Sequence, residues 1–347
     1  MKKIIVNGRF LIHQITGVER YAREILLELD KIAAPGEIEM AVPPDATELP
    51  VYKNIEIIKV GRLNNRLWEH LSFPRYVNKK NGISLNLCNV APLPEPGIVC
   101  LFDAKIKVHP EFFSKIFLLW YNLLFWNATK RARLILTDSE AAKKDLQKYY
   151  PFLAAHKIQV IYPGWQHYER INYNESTLEK YSLKRDHYYF AMGSLEPNKN
   201  FKWVAEAARR NPDQIFAVSG SVNKKIFADG LGFACPSNMR LLGYVSDEEA
   251  KTLMRDCKAF LFPTIYEGFG LPPLEALCAG ARRIIVSDTD VMHEVFGGGA
   301  EYINPSSYEY NLEGQKEKIS GERILNRFSW KRSAESLYKV LKEIGLQ

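Results

Sequence analysis

Apolar and polar positions along this 347-residue chain keep two alternating rhythms. In the first half, "KIIVN", "GIVCLF", "ARLILTDS" and "KIQVIYPG" are short β-branched runs and read as buried strands. Along "TGVERYAREILLEL", Val18, Tyr21, Ala22, Ile25, Leu26 and Leu29 recur at helical spacing. A polar, tyrosine-rich stretch at 166–184 has no periodicity and reads as a linker. A second alternating set follows: "HYYFAMG", "IFAVSG", "MRLLGYV", "AFLFPT" and "ARRIIVSD", five strands with helical patterns between them. Leu337, Val340, Leu341 and Ile344 fall on one face of a last helix starting near Ser329. Strands alternating with helices predict parallel α/β layers. The chain is too long for one ordinary core. The expected organisation is one domain over 1–165, a second over 185–327, and a closing helix over 328–347.

Composition narrows the class. At 46% hydrophobic and 25% charged, the chain is that of a soluble globular protein. "MKKIIVNG" reads as a first strand, without a signal-peptide pattern. The five cysteines have no metal-ligand spacing, which fits a reduced, cytoplasmic compartment. The net charge of +7 is uneven: residues 1–165 carry 23 Lys and Arg against 16 Asp and Glu, and the rest carry 24 of each. That excess reads either as solubility or as a face for something anionic, a membrane or a phosphorylated acceptor. Nothing in it points to nucleic acid. "EFFSKIFLLWYNLLFWNATKRAR" is apolar on most faces and has basic residues at its end. It reads as a buried helix or as a seat on the inner face of an anionic membrane.

Chemistry concentrates in two loops. "EGFGLPPLE" at 267–275 follows the strand "AFLFPT" and precedes an amphipathic pattern. Pro272 or Pro273 suits the first helical position, which places Glu275 in about the first turn. Backbone N–H groups of Gly268, Phe269 and Gly270, with the helix dipole, suit a phosphate. Two carboxylates flanking such a mouth make sense if each reaches past the phosphate to sugar hydroxyls, as a nucleotide diphosphate sugar would offer. An ordinary helix start with helpful acidic residues fits the same spacing. The second loop, "GSLEPNKN" at 193–200, also lies between strand and helix, and Lys199 there supplies a counter-charge for a diphosphate.

"GSLEPNKN", "VSGS", "LGYVSDEEA" and "FPTIYEGFGLPPLEALCAG" occur in the order and spacing of the retaining GT-B glycosyltransferases of family four. "TGVERYAREILLEL", "FDAKIKVHPEFF", "LTDSEAAKKDL" and the terminal "FSWKRSAESLYKVL" resemble the rest of that family, so the likeness covers nearly the whole chain. The resemblance implies two facing Rossmann-like α/β domains with a cleft between them, the last helix crossing back onto the first domain. It implies a nucleotide diphosphate sugar as donor, a glycan or lipid-linked acceptor in surface polysaccharide assembly (lipopolysaccharide or capsule), and neither metal nor separate cofactor. GDP-mannose is the expected donor.

Residue by residue, the resemblance assigns Glu275 to ribose hydroxyls and Glu267 to the transferred sugar. Phe269, Gly270 and Leu271 with Gly268 would bind the distal phosphate or the sugar, and Lys199 the departing diphosphate. Gly193, Ser194 and Gly220 would line the donor, Gly243, Tyr244 and Val245 would face the base, and Gly17 would let backbone approach the diphosphate. Two positions depart from the pattern. Ser194 and Asn198 stand where relatives commonly carry an arginine, which leaves Arg9, Arg282 or Arg283 as substitutes. Phe102 precedes Asp103 where relatives often have histidine, so Asp103 and His13 are the expected catalytic or acceptor-side groups. The missing histidine keeps open a non-catalytic sugar-nucleotide-binding protein of the same fold, and a sugar-nucleotide epimerase. "DTD" at 288–290 reads as a loop rather than a metal site, and His13, His70, His109 and His293 lack ligand spacing.

Overall fold

The computed structural model describes residues 2–194, 196–220, 233–313 and 321–345. The chain divides into two units, Met1–Gly164 with Phe328–Gln347, and Trp165–Arg327.

The first unit holds a seven-stranded sheet of β1 (Ile4–Asn7), β2 (Ile38–Val42), β3 (Glu56–Lys59), β4 (Ile83–Asn86), β5 (Ile98–Cys100), β6 (Leu134–Thr137) and β7 (Ile158–Val160). The order is β3-β2-β1-β4-β5-β6-β7 and every pairing is parallel, with Ile4 opposite Ile38 on one side and Ile83 on the other. The sequence pattern anticipates β1, β5, β6 and β7. It passes over β2, β3 and β4, which are four or five residues long and carry polar residues within or at their ends.

Around this sheet pack α1 (Gly17–Ile32), α2 (Phe73–Lys79), α3 (Lys115–Arg131) and α4 (Glu140–Tyr149). Helix α1 buries Tyr21, Ala22, Ile25, Leu26 and Leu29, and its start is closed by a reciprocal Thr16–Glu19 capping box. The closing helix, numbered α9 in chain order (Trp330–Gly345), belongs to this unit. Trp330, Ala334, Leu337 and Leu341 are buried, and the Trp330 ring stands edge-on to Tyr21 at 5.6 Å. Lys342 and Tyr338 both reach Glu37, at 2.6 and 2.7 Å.

The second unit holds β8 (Tyr188–Met192), β9 (Ile215–Ser219), β10 (Met239–Gly243), β11 (Ala259–Phe262), β12 (Ile284–Ser287) and β13 (Glu301–Ile303), in the parallel order β10-β9-β8-β11-β12-β13. Strand β13 adds a sixth to the five expected; its three residues, Glu-Tyr-Ile, are too few to show a period. Among the described residues its helices of seven residues or more are α5 (Phe201–Arg210), α6 (Asp247–Asp256), α7 (Leu271–Cys278) and α8 (Asp290–Phe296). Trp203, Val204 and Ala208 of α5 pack with Tyr189, Phe216 and Leu261 in the core.

The stretch at 166–184 is not a loose linker but part of the second unit. Lys251 of α6, itself buried, donates to the carbonyls of Tyr168 and Ile171 at 2.7 Å each. Trp165 Nε1 donates to Leu325 O at 2.8 Å, and the buried Tyr168 hydroxyl reaches Met254 Sδ. These partners lie tens of residues away in sequence, so no local rhythm announces them.

Helix α3 has two faces. Leu124, Phe125 and Ala128 are buried, whereas Ile116, Leu119, Leu123 and Trp126 are 83, 77, 44 and 45% exposed. Their spacing of three, four and three residues keeps them on one stripe. Among the described residues no helix is long and apolar enough to cross a membrane.

Candidate active site

In a sheet of this order, chain reversal happens between β8 and β11, so their following loops become neighbours at the carboxyl edge. That is where open α/β sheets bind ligands. Both candidate loops sit there. Lys199, from the loop after β8, meets Glu267, from the loop after β11, with Nζ 2.7 Å from Oε1. The two backbones are tied as well: Ile265 N–H donates to Asn198 O at 2.7 Å, and Asn200 Nδ2 to Pro263 O at 2.9 Å.

The glycines have concrete work in this edge. A Cβ on Gly220 would lie 1.6 Å from Gly193 O, so the ends of β8 and β9 can close only over glycine. A Cβ on Gly193 would lie 3.1 Å from Lys199 Cγ and crowd the lysine stem. Gly220 N–H then donates to Gly243 O at 3.1 Å, which brings in the end of β10, with Tyr244 exposed and Val245 buried just beyond. Ser194 follows Gly193 in the same loop and is exposed.

Helix α7 begins at Leu271, with Gly270 as its N-cap in left-handed backbone (φ 98°). Pro272 and Pro273 are therefore its second and third residues, not its first, and Glu275 lies in the second turn rather than the first. The prolines have no N–H to offer. The amide donors of this helix mouth thus come from the run Gly268, Phe269, Gly270 and Leu271. Phe269 is buried, 3% exposed, so its ring anchors the loop while its backbone stays at the edge.

Glu275 is 7% exposed and its carboxylate is bound to a residue absent from the sequence-derived set: His167 Nε2 lies 2.8 Å from Oε1. A carboxylate only accepts, so the proton is on Nε2. His167 sits in the stretch read as linker, 108 residues from its partner, and no spacing signal marks it. Asn198 is also reassigned. It is 2% exposed, and its Nδ2 donates to Tyr266 O at 3.2 Å and lies 3.5 Å from Glu267 Oε1. Where the resemblance leads one to expect an arginine, this chain has a buried amide beside Glu267.

Within the second unit, neither Arg282 nor Arg283 stands at this edge, and all three substitute arginines have carboxylate partners. Arg283 precedes β12, at the opposite end of the sheet, and forks onto Glu301 at 2.8 and 3.0 Å. Arg282 pairs with Asp186 at 3.1 Å, and Arg9, in the other unit, with Glu69 at 3.0 Å. Asp288 of "DTD" takes a hydrogen bond from His293 at 2.6 Å.

The remaining candidates belong to the first unit. Gly17 is the first residue of α1. His13 Nδ1 lies 3.5 Å from Glu19 Oε1, beside the cap of that helix. Burial raises the Glu19 carboxyl, but hydrogen bonds with His13 and Thr16 outweigh it and hold the group below its ordinary range. Asp103 Oδ1 accepts from Lys105 N–H at 2.8 Å, a local turn at the start of a short helix. Phe102, 7% exposed, stands edge-on to Tyr21 at 4.9 Å and packs rather than titrates.

Residues 175–310, most of the second unit, match the family described as glycosyl transferases group 1. The chain is 27% identical over 322 residues to the O-antigen chain mannosyltransferase RfbU of Salmonella typhimurium, covering 87% of each. Among solved structures it resembles sucrose-phosphate synthase of Thermosynechococcus elongatus, with TM-score 0.71, 12% identity and 99% of each chain covered. It also resembles HepE of Anabaena, solved with UDP and glucose, with TM-score 0.67, 14% identity, and 99% of this chain and 100% of that one covered. With two parallel Rossmann-like sheets and this lysine and carboxylate set on the second sheet's carboxyl edge, the chain has the GT-B fold, and its second unit resembles the group 1 glycosyltransferases.

Proposed function

We propose that this enzyme is a retaining mannosyltransferase, moving mannose from GDP-mannose to a glycan or lipid-linked acceptor in surface polysaccharide assembly. The observation that carries the reading is the joining of Lys199 to Glu267 at 2.7 Å across the β8 and β11 loops, beside the N-terminus of α7. In this reading the diphosphate takes Lys199 as its counter-charge and the Gly268–Leu271 amides as donors. Displaced from the lysine, Glu267 accepts from sugar hydroxyls, and Glu275 accepts from the ribose. The acceptor attacks on the face the diphosphate leaves, and the departing phosphate oxygen takes the acceptor's proton. The protein contributes orientation and electrostatic relief. No resident cofactor or metal is needed in this scheme. The relatives' mannosyltransferase activity supports the sugar, and the resemblance supports retention.

The first unit supports an acceptor at an anionic membrane surface, on the cytoplasmic side. With α9 included it carries 27 Lys and Arg against 18 Asp and Glu, while the second unit carries 20 against 22. The exposed apolar stripe of α3 lies in the basic unit, bounded by Lys115 and Lys130.

A melting panel with GDP, UDP, dTDP and ADP sugars tests the donor, because a bound ligand stabilises in proportion to its affinity. Slow donor hydrolysis or transfer is expected; binding without turnover would favour a sugar-nucleotide-binding protein, and interconversion of free donor an epimerase. Lys199→Ala should lower kcat by about 10²–10³-fold, the loss typical of one electrostatic stabiliser. An unchanged kcat would remove Lys199 from this role.

A further inference from the structure

We propose that His167 is a positioning residue: it fixes the Glu275 carboxylate and thereby sets selectivity for ribonucleotides over deoxyribonucleotides. The inference rests on the reading of Glu275 as the ribose partner. A carboxylate only 7% exposed needs a donor to be tolerated where it stands. One such donor is Nε2–H of an imidazole only 2% exposed, at 2.8 Å. The turn that carries that imidazole is tied down by hydrogen bonds. That turn, Gln166–Arg170, is held by Lys251 on the carbonyls of Tyr168 and Ile171, and by Trp165 Nε1 on Leu325 O. The His167 ring stands edge-on to Tyr168 at 5.8 Å.

The arrangement has a directional consequence. His167 occupies one acceptor direction of Oε1 and fixes the rotation of the carboxylate about its terminal bond, which in a free glutamate is broad. The plane of the carboxylate is thereby set by the imidazole. A pair of vicinal hydroxyls bridging a carboxylate needs that fixed plane, whereas a diphosphate or a base does not. Losing the imidazole should therefore weaken recognition of the ribose diol and leave the rest of nucleotide binding intact.

The test measures Kd by calorimetry for GDP and for 2′,3′-dideoxy-GDP, with the UDP pair run alongside, in wild type, Glu275→Gln, His167→Asn, His167→Gln and His167→Leu. Wild type should prefer the ribonucleotide, and Glu275→Gln should abolish the preference. His167→Asn and His167→Leu should cut it about tenfold with dideoxynucleotide affinity unchanged, a loss typical for one hydrogen bond to a charged group. His167→Gln, whose amide reaches where Nε2 stood, should restore most of it. A merely structural role would weaken both nucleotides together. If His167→Leu does not fold, the contrast between Asn and Gln still decides. A preference erased in Glu275→Gln but intact in His167→Asn overturns the proposal and spares the Glu275 reading. A preference absent from wild type, or surviving in Glu275→Gln, overturns both.

Discussion

Replacing Glu267 by glutamine should move binding and turnover in opposite directions. Without ligand, the carboxylate holds Lys199 at 2.7 Å, and both side chains are largely buried, 18 and 15% exposed. A diphosphate oxygen bound to the same Nζ at about 2.8 Å would lie roughly 5 Å from the carboxylate oxygen. Two unit charges at that distance repel by about 0.8 kcal/mol in water and about 3 kcal/mol at the effective dielectric of a protein surface. The site lies between those limits, so Glu267→Gln should tighten nucleoside diphosphate binding by about tenfold. Glutamine keeps an acceptor near Asn198 Nδ2, so the loop stays in place. The transferred sugar loses a charged acceptor, typically about 1.5–3 kcal/mol, and kcat/KM should fall by about tenfold or more. Calorimetry with GDP and UDP, together with transfer or donor hydrolysis, reads both quantities. The gain in affinity should shrink with added salt, which screens partly exposed charge. Weaker diphosphate binding in Glu267→Gln, or kcat/KM equal to wild type, would refute the reasoning.

Three further outcomes follow from the geometry. Gly270→Ala forces a side chain into φ 98° with its Cβ 2.7 Å from Met292 Cε, a flexible end that can shift. The backbone term of about 1–2 kcal/mol should lower Tm by several degrees, and an unchanged melting curve would show that the loop tolerates a Cβ. Burial holds His70 below its ordinary value, against the nearby Glu69, while its Nδ1 accepts from Leu93 N–H at 3.3 Å. The unfolded chain therefore binds the extra proton first, so stability is full above about pH 6.5 and falls as pH drops from there towards the folded value. In denaturant titrations at pH 8 and pH 5, His70→Asn should lose less stability than wild type; equal losses would clear His70 of the effect. Leu119→Asp with Leu123→Asp, on the exposed stripe of α3, should leave stability within about 1 kcal/mol and cut sedimentation with anionic vesicles at least tenfold. Equal sedimentation of variant and wild type would sink the membrane reading.

The sequence alone determined the class of fold and singled out two strand-to-helix loops as the candidate site. Strands such as "KIIVN" and "AFLFPT" and a helix such as α1 are local events, set by continuous apolar runs, by a period of 3.6 residues and by caps a few residues away. Lys199, Glu267 and Glu275 were legible as candidates for the same reason, since each stands in or just after a short strand-to-helix loop. Only the tertiary structure decided what those residues meet. The strand order sets β8 against β11 and so gives Lys199 its carboxylate, 68 residues distant. It folded the 166–184 stretch into the second unit, delivered His167 to Glu275, and gave α3 one buried and one exposed face. Periodicity reports the environment of a segment averaged over its own turns. Which distant side chain completes a buried polar group is fixed by sheet order and packing, and a linear pattern carries no record of either.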